Sequence, residues 1–297
     1  MRRMNLLIEL DKAGAEWVIV AYISGDGAMI QVVESGKSPH VCTGVLISYS
    51  NEEFVKEENK LVGFNTDPTK ISELRTGLKI EEAWWLPRSM SIRQAAKKSN
   101  HGLNYDMKYK RFALENEVQE SEANELVERY HQAYPGIRQW HNQIQDQLRK
   151  NRMLENCFGR KRRFLDGWGP QLFDAAYSFI PQSTTFDVTR EGMIGWQDDT
   201  GMANIELLAQ THDSLTFQFN GIKSGKDLAP NAVKIGLQYM NPTMTYNGRD
   251  FQIGTTMKIG KNWGGSGMHD CLLSENIDAT AEAADEVLEK ICGRQET

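Results

Sequence analysis

The segment Glu206–Phe219, ELLAQTHDSLTFQF, leaves little freedom in how it folds. Apolar and polar residues roughly alternate on both sides of a polar corner, Thr211 to Ser214, which is the period of two half-buried strands joined by a tight turn. A lone histidine at such a corner is more often structural than catalytic, and an aspartate there usually bonds its own backbone. The other reading is chemical. A carboxylate in a hairpin turn meets a carboxylate ending another strand when both strands join one sheet. Two such carboxylates repel unless cations lie between them, an arrangement suited to a pair of Mg²⁺ ions clamping the oxygens of a phosphoryl transfer.

Asp11 is the candidate partner. It ends the apolar strand LLIEL and precedes a helix expected from about Ala13 to Ile23, with Glu16 in its first turn. Taken alone, an aspartate between strand and helix reads first as an N-cap. A further constellation is RQAAKKSNHGLNYD, in which Arg93, Lys97, His101 and Tyr105 recur at every fourth residue. On a helix each such step advances about 6 Å and drifts about 40°, so the four make one slowly twisting stripe. A solvated basic face is the ordinary fate of that pattern. Two cations one turn apart also match successive phosphates, and an aromatic beyond them can stack on a base or sugar. Gly102, costly in mid-helix, suggests that something approaches the backbone closely there.

The rest of the chain bounds these readings. At 297 residues it can bury a sizeable core, and with 40% hydrophobic and 25% charged residues it is ordinary for a globular protein. Its longest apolar run, Trp17–Ile23, is too short to span a bilayer, and the N-terminus is not a signal peptide. Cys42, Cys157, Cys271 and Cys292 form no CxxC pair, so neither a zinc site nor a disulfide framework is expected, and a reduced, cytoplasmic protein without membrane partners is the default. The net charge of −6 argues against a nucleic-acid partner only on average. Seven Lys or Arg residues and one acid lie between Arg149 and Arg163, while Glu115–Glu128 carries six glutamates. A long helical segment is expected from Met90 to about Leu114. Helices follow on either side of Pro135, from about Pro170 to Trp196 with Pro181 inside, near Leu228–Met240 and at Ile277–Ile291. CFGRKRRF reads as a basic hairpin and RDFQIGTTMKIG as a strand, giving an α+β chain.

With these motifs in place, the chain resembles the family A DNA polymerases of the polymerase I type. DKAGAEWVIVAYISGD resembles their first catalytic motif, RQAAKKSNHGLNYD their nucleotide-binding helix, and THDS their second catalytic aspartate. YPGIRQW, FGRKRR, AAYSFIPQSTTFD and GRDFQIGTTMKIGKNWGG fall in family order, from about Leu6 to Gly265, and the details look most like phage-encoded members acting in a bacterial cytoplasm. The resemblance implies a palm, a small antiparallel sheet with flanking helices (1–29 and 165–265), mostly helical fingers (30–164) and a C-terminal tail (266–297). It implies that Asp11 and Asp213 hold two Mg²⁺ ions, Mn²⁺ being a substitute, helped by the carbonyl of Lys12. Glu16 matches the steric gate against a ribose 2′-hydroxyl. Arg93, Lys97 and His40 would hold the triphosphate of a dNTP, with His101 and Tyr105 near its sugar and the templating base. Gln182 would contact the nascent pair, His212 the primer terminus, and Arg160 and Arg162 the phosphates of primer-template DNA.

Several positions depart from the family pattern. His101 stands where Phe or Tyr is usual, Ser214 where a glutamate is, and Asp106 where a glycine follows the tyrosine. Only ten residues precede Asp11, so thumb and exonuclease are expected to be absent from this chain, which is then a fragment or is completed by a separate polypeptide. A single-subunit RNA polymerase shares the HDS turn, but Glu16 and IPQSTTFD favour the DNA enzymes. A non-catalytic DNA-binding remnant is disfavoured by retention of both aspartates.

Overall fold

The computed structural model describes residues 3–62, 69, 73, 90–263 and 267–292. Among these run nine strands: β1 (Met4–Lys12), β2 (Met153–Glu155), β3 (Lys161–Arg163), β4 (Ile205–Thr211), β5 (Ser214–Ile222), β6 (Met244–Tyr246), β7 (Arg249–Phe251), β8 (Thr255–Gly260) and β9 (Met268–Cys271). The chain divides into two compact units, one of Met1–Ala15 with Gln182–Thr297 and the other of Glu16–Pro181. Among the described residues, no helix is long and apolar enough to cross a membrane.

The first unit is built on a sheet of order β4-β5-β1-β8-β9, every pair antiparallel. The hairpin read from its alternation is β4–β5, paired from Ile205↔Phe219 to Thr211↔Ser214. β1 lies in the centre, and its period of two sorts its side chains. Leu6, Ile8, Leu10 and Lys12 are buried on one face, while Leu7, Glu9 and Asp11 are half-buried on the other. Leu215, Phe217 and Phe219 of β5 and Met257 and Ile259 of β8 extend the apolar face. The helices Gly225–Val233 and Ile277–Cys292 cover it with Leu228, Ala232, Ala284, Val287 and Leu288. Gly225 lies so close to the backbone of Ala281 that a Cβ would collide with its carbonyl, which is why the two helices meet at a glycine.

The second unit is helical. Asp26, buried at 3% exposure, caps two of its helices at once: one carboxylate oxygen accepts from Met29 N (3.0 Å) in Gly27–Glu34, the other from Gly136 N (2.8 Å) at the start of Pro135–Asn151. The basic segment forms the hairpin β2–β3.

Four expectations need correction. β1 runs one residue past Asp11, to Lys12. RDFQIGTTMKIG is two strands, β7 and β8, separated at Gln252–Gly254. The region beyond 265 is more than a tail, since β9 extends the main sheet and the helix Ile277–Cys292 helps to cover it. The long helix expected from Met90 to Leu114 is two, Ile92–Asn104 and Tyr109–Asn116. The break is a glycine-centred cap: the Gly102 carbonyl accepts from Tyr105 N (3.1 Å) and Met107 N (2.9 Å), and Asp106 takes a φ of 65°. What approaches Gly102 is the Met107 side chain, which occupies the space a Cβ would need.

The left-handed backbone at residue 106 explains why a glycine is at home there. Asp106 is held in place by an exposed ion pair with Lys108 at 2.7 Å, worth little. Asp106→Gly should raise unfolding free energy by about 0.5–1 kcal/mol, because a non-glycine side chain is disfavoured at positive φ. Denaturant unfolding of the two proteins checks this, and a loss of stability would show that the ion pair matters more.

Candidate active site

In the first unit, the sheet places two carboxylates together. Asp11 pairs with Ser214 on β5 and with Thr256 on β8, on the face opposite the core. Asp213 immediately precedes Ser214 in the hairpin turn, and Lys12 N donates to its carbonyl at 3.3 Å. Burial first, then the charge of Asp213 and hydrogen bonding to it, then Glu9, push Asp11 up to about 6, with Lys258 pulling the other way. Two carboxyl groups placed together in this way disfavour each other's ionisation, and their oxygen donors fit a hard divalent ion. Among the described residues, no group of three or more His, Cys, Asp and Glu side chains is placed to hold a metal, so the pair supplies two protein carboxylates and no more.

The turn itself is strained. His212 takes a φ of 54°, a left-handed conformation that histidine tolerates better than most side chains, and its Nδ1 lies 3.3 Å from Asp213 Oδ1. Ser214, in the place of the usual acid, closes the turn by donating from Oγ to the Thr211 carbonyl at 3.0 Å. Two side chains near the pair had no role in the sequence reading, which used Lys12 only through its carbonyl. Glu9, two residues before Asp11 on the same face, lies 3.5 Å from Lys258 Nζ and accepts from Trp263 Nε1 at 3.0 Å. The side chain of Lys12 is buried, and burial pulls its ammonium down to about 7 against Asp11 and Asp213. Gln182 is exposed on the long helix Pro170–Asp198.

In the second unit, the helix Ile92–Asn104 carries the basic stripe on its outer face, with Arg93 half-buried and Lys97 and His101 exposed. Tyr105 lies just past the helix end, at its C-cap, and still reaches the stripe, its ring edge-on to His101 at 5.3 Å. Glu16 gathers both: its Oε2 accepts a short hydrogen bond from Tyr105 OH and lies 3.4 Å from His101 Nδ1. Burial and the nearby Glu16 carboxylate hold the Tyr105 hydroxyl protonated, well above the ordinary tyrosine value. His40, second residue of the helix Pro39–Ser48, is pushed down to about 4 by burial and then by the charges of Arg93 and Lys97, so it is neutral at pH 7.

A buried polar network stands behind this stripe. Asn100 Oδ1 accepts from Thr43 Oγ1 (2.8 Å) and Tyr130 OH (3.1 Å), and Asn100 Nδ2 lies 3.1 Å from His40 Nδ1. His141 Nε2 meets the Asn104 carbonyl at 2.8 Å. The signal for it was present: Ile92, Ala95, Ala96, Ser99, Asn100, Leu103 and Asn104 follow the helical period, and asparagines on an otherwise apolar face must find partners. Arg160 lies in the β2–β3 turn and Arg162 on β3, where Lys161, Arg162 and Arg163 are all exposed. The side chains of Arg149 and Arg152 lie over the half-exposed ring of Trp168 at 5.0 and 5.6 Å.

Hydrogen bonding to Glu16 raises His101 above its ordinary 6.5, against desolvation and Lys97. The folded pKa lies above the unfolded one, so the ion pair contributes fully below pH 6.5 and is lost as pH rises through the folded value. An NMR titration should find the His101 midpoint above 6.5, and Glu16→Gln should bring it down. An unmoved midpoint would show that Glu16 does not act on the ring.

Residues 86–265 match the family model described as DNA polymerase family A. DNA polymerase I, thermostable, of Thermus thermophilus is 25% identical over 218 residues, which cover 71% of this chain and 22% of that protein. DNA polymerase I of Treponema pallidum is 29% identical over 136 residues, 43% of this chain and 14% of that protein. The chain thus spans about a fifth of the length of the Thermus thermophilus polymerase. Among solved structures, the POL domain of Pol1 from M. smegmatis, in complex with DNA primer-template and dNTP, superposes with a TM-score of 0.63 at 20% identity. The match covers 88% of this chain and 40% of that one.

Proposed function

The chain belongs to DNA polymerase family A, and on that premise we propose that it is the catalytic core of a template-directed DNA polymerase. The observation that carries the proposal is the Asp11–Asp213 pair, brought together by adjoining strands on the sheet face opposite the core. Asp11 and Asp213, with the Lys12 carbonyl, would hold two Mg²⁺ ions, or Mn²⁺ in their place. When bound, these would stabilise charge as a primer 3′-hydroxyl attacks the α-phosphate of a dNTP.

The chain's own residues then have separate tasks. His212, presented by the strained turn, would meet the primer terminus, and Gln182 the minor groove of the nascent pair. Arg93 and Lys97 would grip the triphosphate with their charges. His40, neutral at pH 7, would add a hydrogen bond to it rather than a charge. Glu16 would exclude a ribose 2′-hydroxyl, its carboxylate held still by the Tyr105 hydroxyl and His101, which would line the sugar and base pocket. Arg160 and Arg162, on an exposed basic hairpin, would bind DNA phosphates. Structures that grip the duplex would come from further sequence or a separate polypeptide, acting with this chain in a bacterial or phage replication system in the cytoplasm.

Primer extension with dNTPs or rNTPs in parallel tests the reading. Asp11→Asn and Asp213→Asn should each lower dNTP incorporation on the order of 10³-fold or more, since metal charge stabilisation is worth several kcal/mol. Rates like those of the parent would overturn it, and incorporation of rNTPs alone would transfer the chain to RNA synthesis. Glu16→Ala should relax sugar selectivity by about tenfold or more, the effect of roughly 1.4 kcal/mol of lost discrimination. Unchanged rejection of rNTPs would remove Glu16 from the gate.

A further inference from the structure

Lys12 occupies a position that the alternation of β1 reserves for an apolar side chain. It follows Leu6, Ile8 and Leu10 on the covered face of the sheet and is 1% exposed. A buried ammonium is costly unless its protons are met. Here three oxygens meet them: Met240 O and Thr255 Oγ1, each at 2.8 Å, and Asn241 Oδ1 at 3.5 Å. Thr255 in turn donates to the Gly236 carbonyl at 2.9 Å, so its oxygen is open to accept from Lys12.

The place where these oxygens lie is specific. Lys234–Tyr239 is a π-helical turn ending at Met240, whose N donates to the Ile235 carbonyl at 2.9 Å. Carbonyls at the C-terminal end of a helix lack intrahelical partners and carry its negative pole, and a lysine ammonium satisfies both needs. Lys12 therefore ties the end of this turn to β8 through its side chain, while its backbone N bonds the Asp213 carbonyl. Four elements meet at this residue: the end of β1, the hairpin turn, β8 and the π turn.

We propose that the Lys12 side chain is a positioning residue, which fixes the strand end and turn that carry the two carboxylates and so sets the affinity of the site for a divalent cation. This rests on the polymerase reading, in which Asp11 and Asp213 hold metal. Lys12 itself touches neither substrate nor metal through its ammonium. It acts as hydrogen-bonded neighbours of metal ligands do elsewhere, by holding the ligands in one arrangement.

Mn²⁺ binding to the purified chain, read from free-ion electron paramagnetic resonance without substrate or turnover, tests the inference apart from activity. Lys12→Met keeps the length and packing of the stem and removes the donors. It should weaken Mn²⁺ binding by about tenfold, the low end of the range for neighbours of metal ligands, with its circular dichroism retained. Thr255→Val removes one acceptor and should weaken binding in the same direction, by less, while Thr255→Ser, which keeps the hydroxyl, should bind as the parent does. A folded Lys12→Met with parental affinity overturns the inference. Where that variant does not fold, the Thr255 pair decides, and equal binding by Val and Ser overturns it. Parental protein that binds no Mn²⁺, or binds it equally well as Asp213→Asn, would instead overturn the metal reading beneath it.

Discussion

The alternation of a single central strand organises the first unit. β1 is hydrogen-bonded on both edges, to β5 and β8, so its register is fixed twice and its side chains cannot slip by one residue without turning the sheet inside out. That constraint sends Leu6, Ile8, Leu10 and Lys12 to the helices and leaves Glu9 and Asp11 on the other side. Core and chemistry are therefore specified by the same nine residues. The carboxylates repel each other, and each full burial of a leucine or isoleucine beneath them, worth about 1.5–3 kcal/mol, opposes the cost.

The second unit solves a different problem, holding charged and aromatic groups on a helix whose other face must pack. The helix Ile92–Asn104 separates the two by its period: arginine, lysine and histidine outside, alanines and asparagines inside. The asparagines bring Thr43, His40 and Tyr130 into one network, which anchors the groups around the stripe without drawing on exposed side chains. Glu16 is similarly committed, since a carboxylate already bonded to a tyrosine and a histidine cannot swing freely.

Much of this was legible in the residues. The hairpin Ile205–Ile222, the basic hairpin, the helices either side of Pro135, the helix through Pro181 and the C-terminal helix follow from periodicity and punctuation alone. The meeting of Asp11 and Asp213 was legible only as a condition, since periodicity does not decide whether the two strands share a sheet; the pairing of β1 with β5 supplies that. Other features depend on local backbone geometry that residue patterns do not carry. The positive φ at Asp106 and His212, which breaks one helix and shapes one turn, occurs at residues without glycine's signature. β9 is short and pairs along only four residues, too few for an alternation to show. The grouping of His101, Tyr105 and Glu16 joins positions 89 residues apart in sequence, beyond the reach of any spacing argument. Lys12 was read through its carbonyl alone, because a lysine after a strand is ordinarily a solvated one.

The π turn has an evolutionary corollary. A π turn holds one residue more than an α-helical turn of the same span, and each residue rotates a helix by about 100°. Deleting any one residue of Lys234–Tyr239 would restore an ordinary helix and, in doing so, turn the Met240 carbonyl away from the ammonium it now meets. Length, as much as residue identity, is thus under constraint in this stretch: point changes at its outward-facing positions can accumulate there, whereas single-residue deletions should be purged from descendants of this chain.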